Sequence, residues 1–302
     1  MSPFVLDRAR SYLLPVVVLV VTWIIIASTT PTFRGEASVF SVLEGFPLLG
    51  LVALGLAVTI IAGELDLSVG SVAALAGVVA VKTASTGLVG AIAIAVAVGA
   101  LIGVLQGWVI ARLAINSLVL TVGTLILLRG LTYLLSDNKP SQLTDFTVSD
   151  PLIARYGIFS ISSITALIVF AVLGLFLAYT RYGREIYAIG GAREEARSAG
   201  VPRQRPMVLA FGLSAGCAAL AGALASLKGG SAAPQNYDDL LLSAVAAGLA
   251  ARGSDASVTQ LVTGALLITV VAVEFVAARI GRRSRLRRDA AKRESLPPPA
   301  AA

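Results

Sequence analysis

Long apolar runs alternate with short polar connections along nearly the whole chain, and run length sets the architecture. Runs over about 12–27, 46–62, 69–83, 88–113, 117–135, 161–179, 207–227 and 258–278 approach or reach the roughly 20 residues that a helix needs to cross a bilayer. A spanning segment must also satisfy its own backbone groups, which a helix does. The pattern therefore predicts an all-α polytopic membrane protein with about eight transmembrane helices. One further apolar stretch, 240–251, holds only about 12 residues, too few to cross, and reads as a re-entrant or surface segment. Two outer connections stand out. The first runs from Pro31 to Glu44. The second, 136–160, carries turn chemistry at Asp137-Asn138-Lys139-Pro140 and Asp150-Pro151, and suits the landing of an extracytoplasmic partner.

Charge settles the orientation the pattern leaves open. With the N-terminus in the cytosol and eight spans, Arg8, Arg10, Arg112, the arginines between Arg181 and Arg205, and the basic residues from Arg279 to Arg293 share one side. These are 17 of the 24 Lys and Arg, as the positive-inside rule requires. Both termini are then cytosolic, in a multi-pass protein of the cell (inner) membrane. Residues 1–281 form the transmembrane domain, with a loop at 181–206. Residues 282–302 form a basic, Pro-ending tail that reads as disordered and touches lipid headgroups. A cleaved signal peptide shares the outline of the first run. That run is long for one, however, and Ser28-Thr29-Thr30-Pro31 is a poor cleavage site, so a retained helix is favoured.

Composition narrows the chemistry. At 57% hydrophobic, 14% charged and a mean hydropathy of +0.87, the chain lies far outside soluble usage. It has no histidine and one cysteine, Cys217, which leaves no Cys-based metal site, no implied cofactor and no nucleophile–base set. The net charge of +7 is concentrated in the tail and loops, which argues against nucleic acid as a partner.

The stretch Arg181-Tyr182-Gly183-Arg184-Glu185-Ile186-Tyr187-Ala188-Ile189-Gly190-Gly191, continued by Ala192 to Pro202, is the long charge-rich segment between two apolar runs. Gly190 and Gly191 free the backbone. Gly200 and Pro202 then stop a short helix, because glycine accepts the left-handed cap and proline cannot continue the helix. Ala192, Ala196 and Ala199 fall on one face, with Arg193, Glu194 and Arg197 opposite. So small a helix needs a partner surface, and an alanine face suits close docking. The segment resembles the cytoplasmic coupling loop of ABC-importer permeases, and the nearest branch is the ribose/xylose/galactose-type sugar permeases. That resemblance implies docking on a separate ATP-binding cassette ATPase subunit, with Gly190, Gly191, Glu194, Glu195, Ala196 and Gly200 as the coupling residues. A solvated loop with incidental charge is the simpler alternative.

A second motif follows the second run: Ala62-Gly63-Glu64-Leu65-Asp66-Leu67-Ser68-Val69-Gly70-Ser71. Gly63 is placed to end one helix, and Asp66 or Ser68 to cap the next. Two readings stand. One is a capped turn at the cytosolic surface. The other is a broken-helix site lining a solute route, since carboxylates near membrane depth require water, donors or a cation. The segment is similar to the Gly-Ile-Asp-Leu-Ser-Val-Gly-Ser pattern of the sugar permeases, with Glu64 and Leu65 where Gly and Ile are frequent there. The similarity implies that Asp66, Ser68, Gly70 and Ser71 belong to the family's defining core, as a solute path or a core motif, without assigning what each does. Residues 120–124, with Arg129 and Gly130, resemble the same family and bring Thr121, Thr124 and Arg129 into the set. Threonines can instead bond back to their own helix, and Arg129 can snorkel outward. Gly99 and Gly103, four apart, read as helix-packing positions.

Beyond 227 the chain departs from the family pattern, passing quickly through 240–251 into a segment resembling the final helix. Some tens of residues are expected to be missing there. The functional expectation is the permease subunit of an ATP-driven importer for a small polar solute, a sugar first. Its partners would be an ATPase, an extracytoplasmic solute-binding protein and a second permease chain, identical or related. The subunit itself would be no enzyme, and no Gly-x-x-x-x-Gly-Lys-Ser/Thr occurs. The alternatives are an ion-gradient secondary transporter, a shortened homologue impaired in transport, and, more weakly, a membrane-embedded enzyme.

Overall fold

A computed structural model describes residues 35–235 together with Ile24, Ser28 and Tyr237. These lie in one compact unit, Met1–Leu241. The second unit, Leu242–Ala302, falls outside the described residues. So do the expected first span apart from Ile24, the whole 240–251 segment, the 258–278 span and the tail.

Nine α-helices order the described residues: α1 Glu36–Ile61, α2 Val69–Lys82, α3 Gly87–Leu113, α4 Ser117–Leu135, α5 Asp150–Ile153, α6 Ile161–Tyr179, α7 Arg181–Gly191, α8 Arg193–Ser198 and α9 Gln204–Lys228. Five of them are long and apolar enough to cross a membrane: α1, α3, α4, α6 and α9. The protein is a predominantly helical, multi-pass membrane protein.

The sequence signals explain most of the boundaries. The Asn116 side chain accepts from the Leu118 N–H and opens α4, while Ser160 and Ser163 form a reciprocal capping box that opens α6. Asp137 and Asn138 take positive φ just after α4, the turn foreseen there. One boundary differs. Helix α1 starts at Glu36, inside the expected outer loop, and carries Pro47 in its interior. Its polar first turns mimic a loop in sequence. In the fold they meet charges at the same end of the bundle: Arg155 pairs with Glu36 at 3.8 Å, and Lys228 with Glu44.

Helix α9 is the axis. It packs on α3, α2 and α1, and fifteen of its residues are buried, among them Met207, Phe211, Ser214, Ala219 and Leu227. Close approach to α3 is made by glycine. A Cβ on Gly99 would collide with Ala219 and one on Gly103 with the Phe211 carbonyl, and one on Gly107 would lie 2.6 Å from the Met207 carbonyl. Where no hydrophobic force separates helix from lipid, such small-residue contact is what holds helices together.

Helix α2 corrects another expectation. It has 14 residues, eleven of them buried, and at 1.5 Å per residue reaches only about 21 Å. That falls short of the roughly 30 Å hydrocarbon core. It is therefore an enclosed partial helix, entered through the 62–68 turn.

At one end of the bundle, the 136–160 connection folds against α9. β1 (Ser141–Gln142) pairs antiparallel with β4 (Ser231–Ala232), and β2 (Arg155–Tyr156) with β3 (Phe159–Ser160). The Ser149 hydroxyl donates to the Leu227 carbonyl at 2.7 Å. At the opposite end, α7 and α8 pack on the end of α1 and the start of α9.

Candidate solute path and coupling segment

The turn between α1 and α2 is built by its own sequence. Gly63 has φ +76°. Its N–H bonds to the Ile60 carbonyl and that of Glu64 to the Thr59 carbonyl, the paired bonds of a Schellman cap that only a left-handed residue completes. The chain then alternates in an order opposite to a soluble protein. Leu65 and Leu67 are exposed, while Asp66 and Ser68 are fully buried.

Inside the bundle Asp66 is met by hydroxyls and an amide. Its Oδ1 accepts from the Ser68 N–H at 3.0 Å and the Ser68 hydroxyl at 2.6 Å, and its Oδ2 from the Ser214 hydroxyl at 3.1 Å. Gln106 Nε2 donates to Ser68 Oγ at 3.0 Å. The turn is thereby fastened to α3 through Gln106 and to α9 through Ser214. Ser214 lies about ten residues, or roughly 15 Å, along α9 from its start. Asp66 is therefore not at a surface turn but deep in the bundle, and it bonds the N-cap residue rather than capping α2 itself. Gly70 is half-buried, with a hypothetical Cβ 3.1 Å from the Tyr237 carbonyl, and Ser71 is buried.

The other expected path residues do not join this cluster. Thr121 donates to the Leu118 carbonyl at 3.4 Å and Thr124 to that of Leu120 at 2.9 Å, both on their own helix. Arg129 is half-buried on α4. The sequence alone offers no reading of Ser214, and Gln106 reads there only as an unspecific polar contact. The available signal was that both are polar residues inside strongly apolar runs, where an unpartnered polar group is disfavoured.

The charged segment forms two helices rather than one. Helix α7 is capped by Thr180, whose hydroxyl oxygen accepts from the Gly183 N–H at 3.1 Å. It runs through Gly190 and Gly191, so the expected free joint falls at Ala192, in extended conformation. Gly190 is required for contact, since a Cβ there would collide with the Ile61 carbonyl. Helix α8 ends in a second Schellman cap. Gly200 has φ +82° and donates to the Arg197 carbonyl, and the Val201 N–H donates to that of Ala196.

Ala196 faces inward. It is 6% exposed and joins an apolar cluster with Val58, Ala62, Ile110, Ile186, Ile189, Met207 and Phe211. Glu194, Glu195 and Arg197 face out, Arg197 lying 3.8 Å from Glu194. Arg193 leans back, its Nη2 donating to the Gly63 carbonyl at 3.0 Å and to Glu64 Oε1 at 2.6 Å. Of the three alanines only Ala196 docks on the chain itself, Ala192 and Ala199 being exposed, and the outward surface carries Glu194, Glu195 and Arg197.

Residues 38–281 match the family model described as "Branched-chain amino acid transport system / permease component". The chain belongs to this permease family. The match continues past residue 227, where the sequence pattern departs from that of the sugar permeases. Among curated relatives, the L-arabinose transport system permease protein AraH of Escherichia coli K12 is 34% identical over 268 residues, covering 84% of this permease and 80% of the relative. The ribose import permease protein RbsC of the same strain is 29% identical over 263 residues, 83% and 82% of the two chains. The fructose import permease protein FruG of Bifidobacterium longum is 31% identical over 242 residues, 76% and 71%. No solved structure matches the permease.

Proposed function

We propose that the chain is the permease subunit of an ATP-driven importer in the inner membrane and forms the transmembrane path for a sugar received from an extracytoplasmic binding protein. The observation that carries this reading is the similarity to arabinose, ribose and fructose permeases over more than three quarters of the chain. It favours a sugar over the amino acid of the family model's description.

In this reading α7 and α8 lie in the cytosol with both termini, and the chain crosses about eight times, the 62–68 turn and α2 together making one crossing. The 1–281 domain carries transport, and the 282–302 tail touches lipid headgroups. The outward Glu194, Glu195 and Arg197 meet a separate ATPase subunit. Gly190, Gly191, Ala196 and Gly200 shape the segment and seat it on the bundle. A second permease chain completes the path. Asp66, Ser68, Gly70 and Ser71 form its inner framework, with Thr121, Thr124 and Arg129 on neighbouring α4.

The test is uptake into proteoliposomes holding the permease with its co-expressed ATPase and binding protein, using labelled L-arabinose, D-ribose, D-fructose and L-leucine. Accumulation of a sugar only with internal ATP supports the proposal. Uptake that ignores ATP and collapses with an ionophore would make it a secondary transporter. ATP-driven uptake of leucine alone would move it to amino acids, and no uptake despite bound ATPase would mark an impaired homologue.

A further inference from the structure

The outward face of α8 and the buried Asp66 lie on different elements, yet one side chain joins them. Arg193 is the first residue of α8, and its Nη2 serves both the Gly63 carbonyl and Glu64 Oε1, at 3.0 and 2.6 Å. The Glu64 side chain is 9% exposed and that of Arg193 45%, so the pair is sheltered on the side facing the bundle. A charge-assisted bond of this length, partly out of water, is directional as well as attractive. Two further contacts stiffen the same junction. Gly190 lies backbone to backbone against Ile61, with room for no side chain, and Ala196 shares an apolar cluster with Ala62 and Val58.

Two residues beyond Glu64 stands Asp66, which holds Ser214 of α9 and, through Ser68, Gln106 of α3. The 62–68 turn is therefore clamped at both ends. One end is fixed to the segment that leads outward, the other to the two helices that pack the bundle axis.

We infer that the Arg193–Glu64 pair is the strut through which displacement of α8 moves the 62–68 turn and, with it, the Asp66–Ser214 and Ser68–Gln106 bonds. The inference rests on the proposed docking of an ATPase on α8 and names positioning residues within it. Without the strut, α8 still has its apolar seat, but the turn is no longer pulled by it. The sequence position is informative as well. Glu64 stands where the sugar permeases frequently have glycine, so the strut belongs to this chain's own form of the motif.

The experiment uses the complex of full-length permease with its co-expressed ATPase in proteoliposomes, with phosphate release measured with and without the binding protein loaded with its solute. Glu64→Ala should leave the ATPase co-purifying with the permease, since Glu64 faces away from the docking surface. It should lower the stimulation of hydrolysis by the loaded binding protein roughly two- to thirty-fold, the range over which intervening residues modulate coupling. Glu64→Gln keeps an acceptor for Arg193 and should lie between. The exchanged pair Glu64→Arg with Arg193→Glu should recover stimulation that either single reversal loses, a rescue that a merely structural defect would not show. Unchanged stimulation in Glu64→Ala, or an exchanged pair no better than the single reversals, overturns the strut while leaving the docking proposal intact. Failure of any ATPase to co-purify with the unaltered permease overturns both.

Discussion

Asp66 and Ser214 are 148 residues apart in sequence and share a buried hydrogen bond of 3.1 Å. That bond, with Ser68 to Gln106, fastens the turn before α2 to the middle of the bundle. The cluster is closed by neutral donors around one carboxyl group, so its geometry depends on acceptor oxygens at two positions. Asp66→Asn retains the Oδ1 acceptor for Ser68 and places an amide beside Ser214, and should be mild. Asp66→Leu leaves the Ser68 and Ser214 hydroxyls without their acceptor and should cost roughly 1–3 kcal/mol. Thermal unfolding of the purified permease in detergent checks the difference. Equal losses from both substitutions would contradict the hydrogen-bond account.

The α3–α9 contact makes a steric prediction. Gly103→Leu forces atoms into the Phe211 backbone and should cost about 1–3 kcal/mol or more, as overpacking does. Gly123→Ala, where a Cβ meets nothing within 4 Å, should be close to neutral in the same assay. Folded yield after membrane extraction gives the comparison.

A third prediction concerns Ala196, buried within its own chain. Ala196→Asp places a carboxylate in the cluster of Ile186, Ile189 and Met207. A buried charge without a partner destabilises by several kcal/mol, so α8 should detach even when no ATPase is present. Limited trypsin digestion should then cut at Arg193, Arg197 and Arg203 faster than in the unaltered permease. Unchanged digestion would return Ala196 to the outer surface.

Gly200→Val should act more gently. There is open space for the side chain, but φ is +82°, and the left-handed conformation costs a residue with a Cβ roughly 1–2 kcal/mol. The expected result is digestion intermediate between the unaltered chain and Ala196→Asp.

Much of this was legible in the sequence, for physical reasons that also mark its limit. The apolar runs alone give α4 and α6 as about 117–135 and 161–179, as they stand in the fold, where Asn116 and Ser160 supply the caps at their starts. The start of α1 was missed because Glu36 and Glu44 read as loop residues; Glu36 is exposed in the fold too, and only Glu44 is sheltered, by Lys228 brought beside it from a distant position. The left-handed caps at Gly63 and Gly200 were foreseen from local chemistry. The inward turn of Ala196 was not. In a helix of six residues, small side chains carry no periodic signal to say which face the chain itself will cover. Gln106–Ser68 and Ser214–Asp66 are long-range pairs, and no local pattern encodes them.

The central claim is that an ATPase docks on the outward acidic face of α8. The most direct measurement is the amount of ATPase retained per permease when Glu194→Arg and Glu195→Arg are combined. Both side chains are exposed, so the fold and the trypsin pattern around α8 should be kept. Reversing two charges at a contact surface opposes its complement, and affinity should fall at least roughly tenfold, about 1.4 kcal/mol, with ATP-driven uptake falling alongside. Full retention of the ATPase and normal uptake in the double variant would contradict the claim.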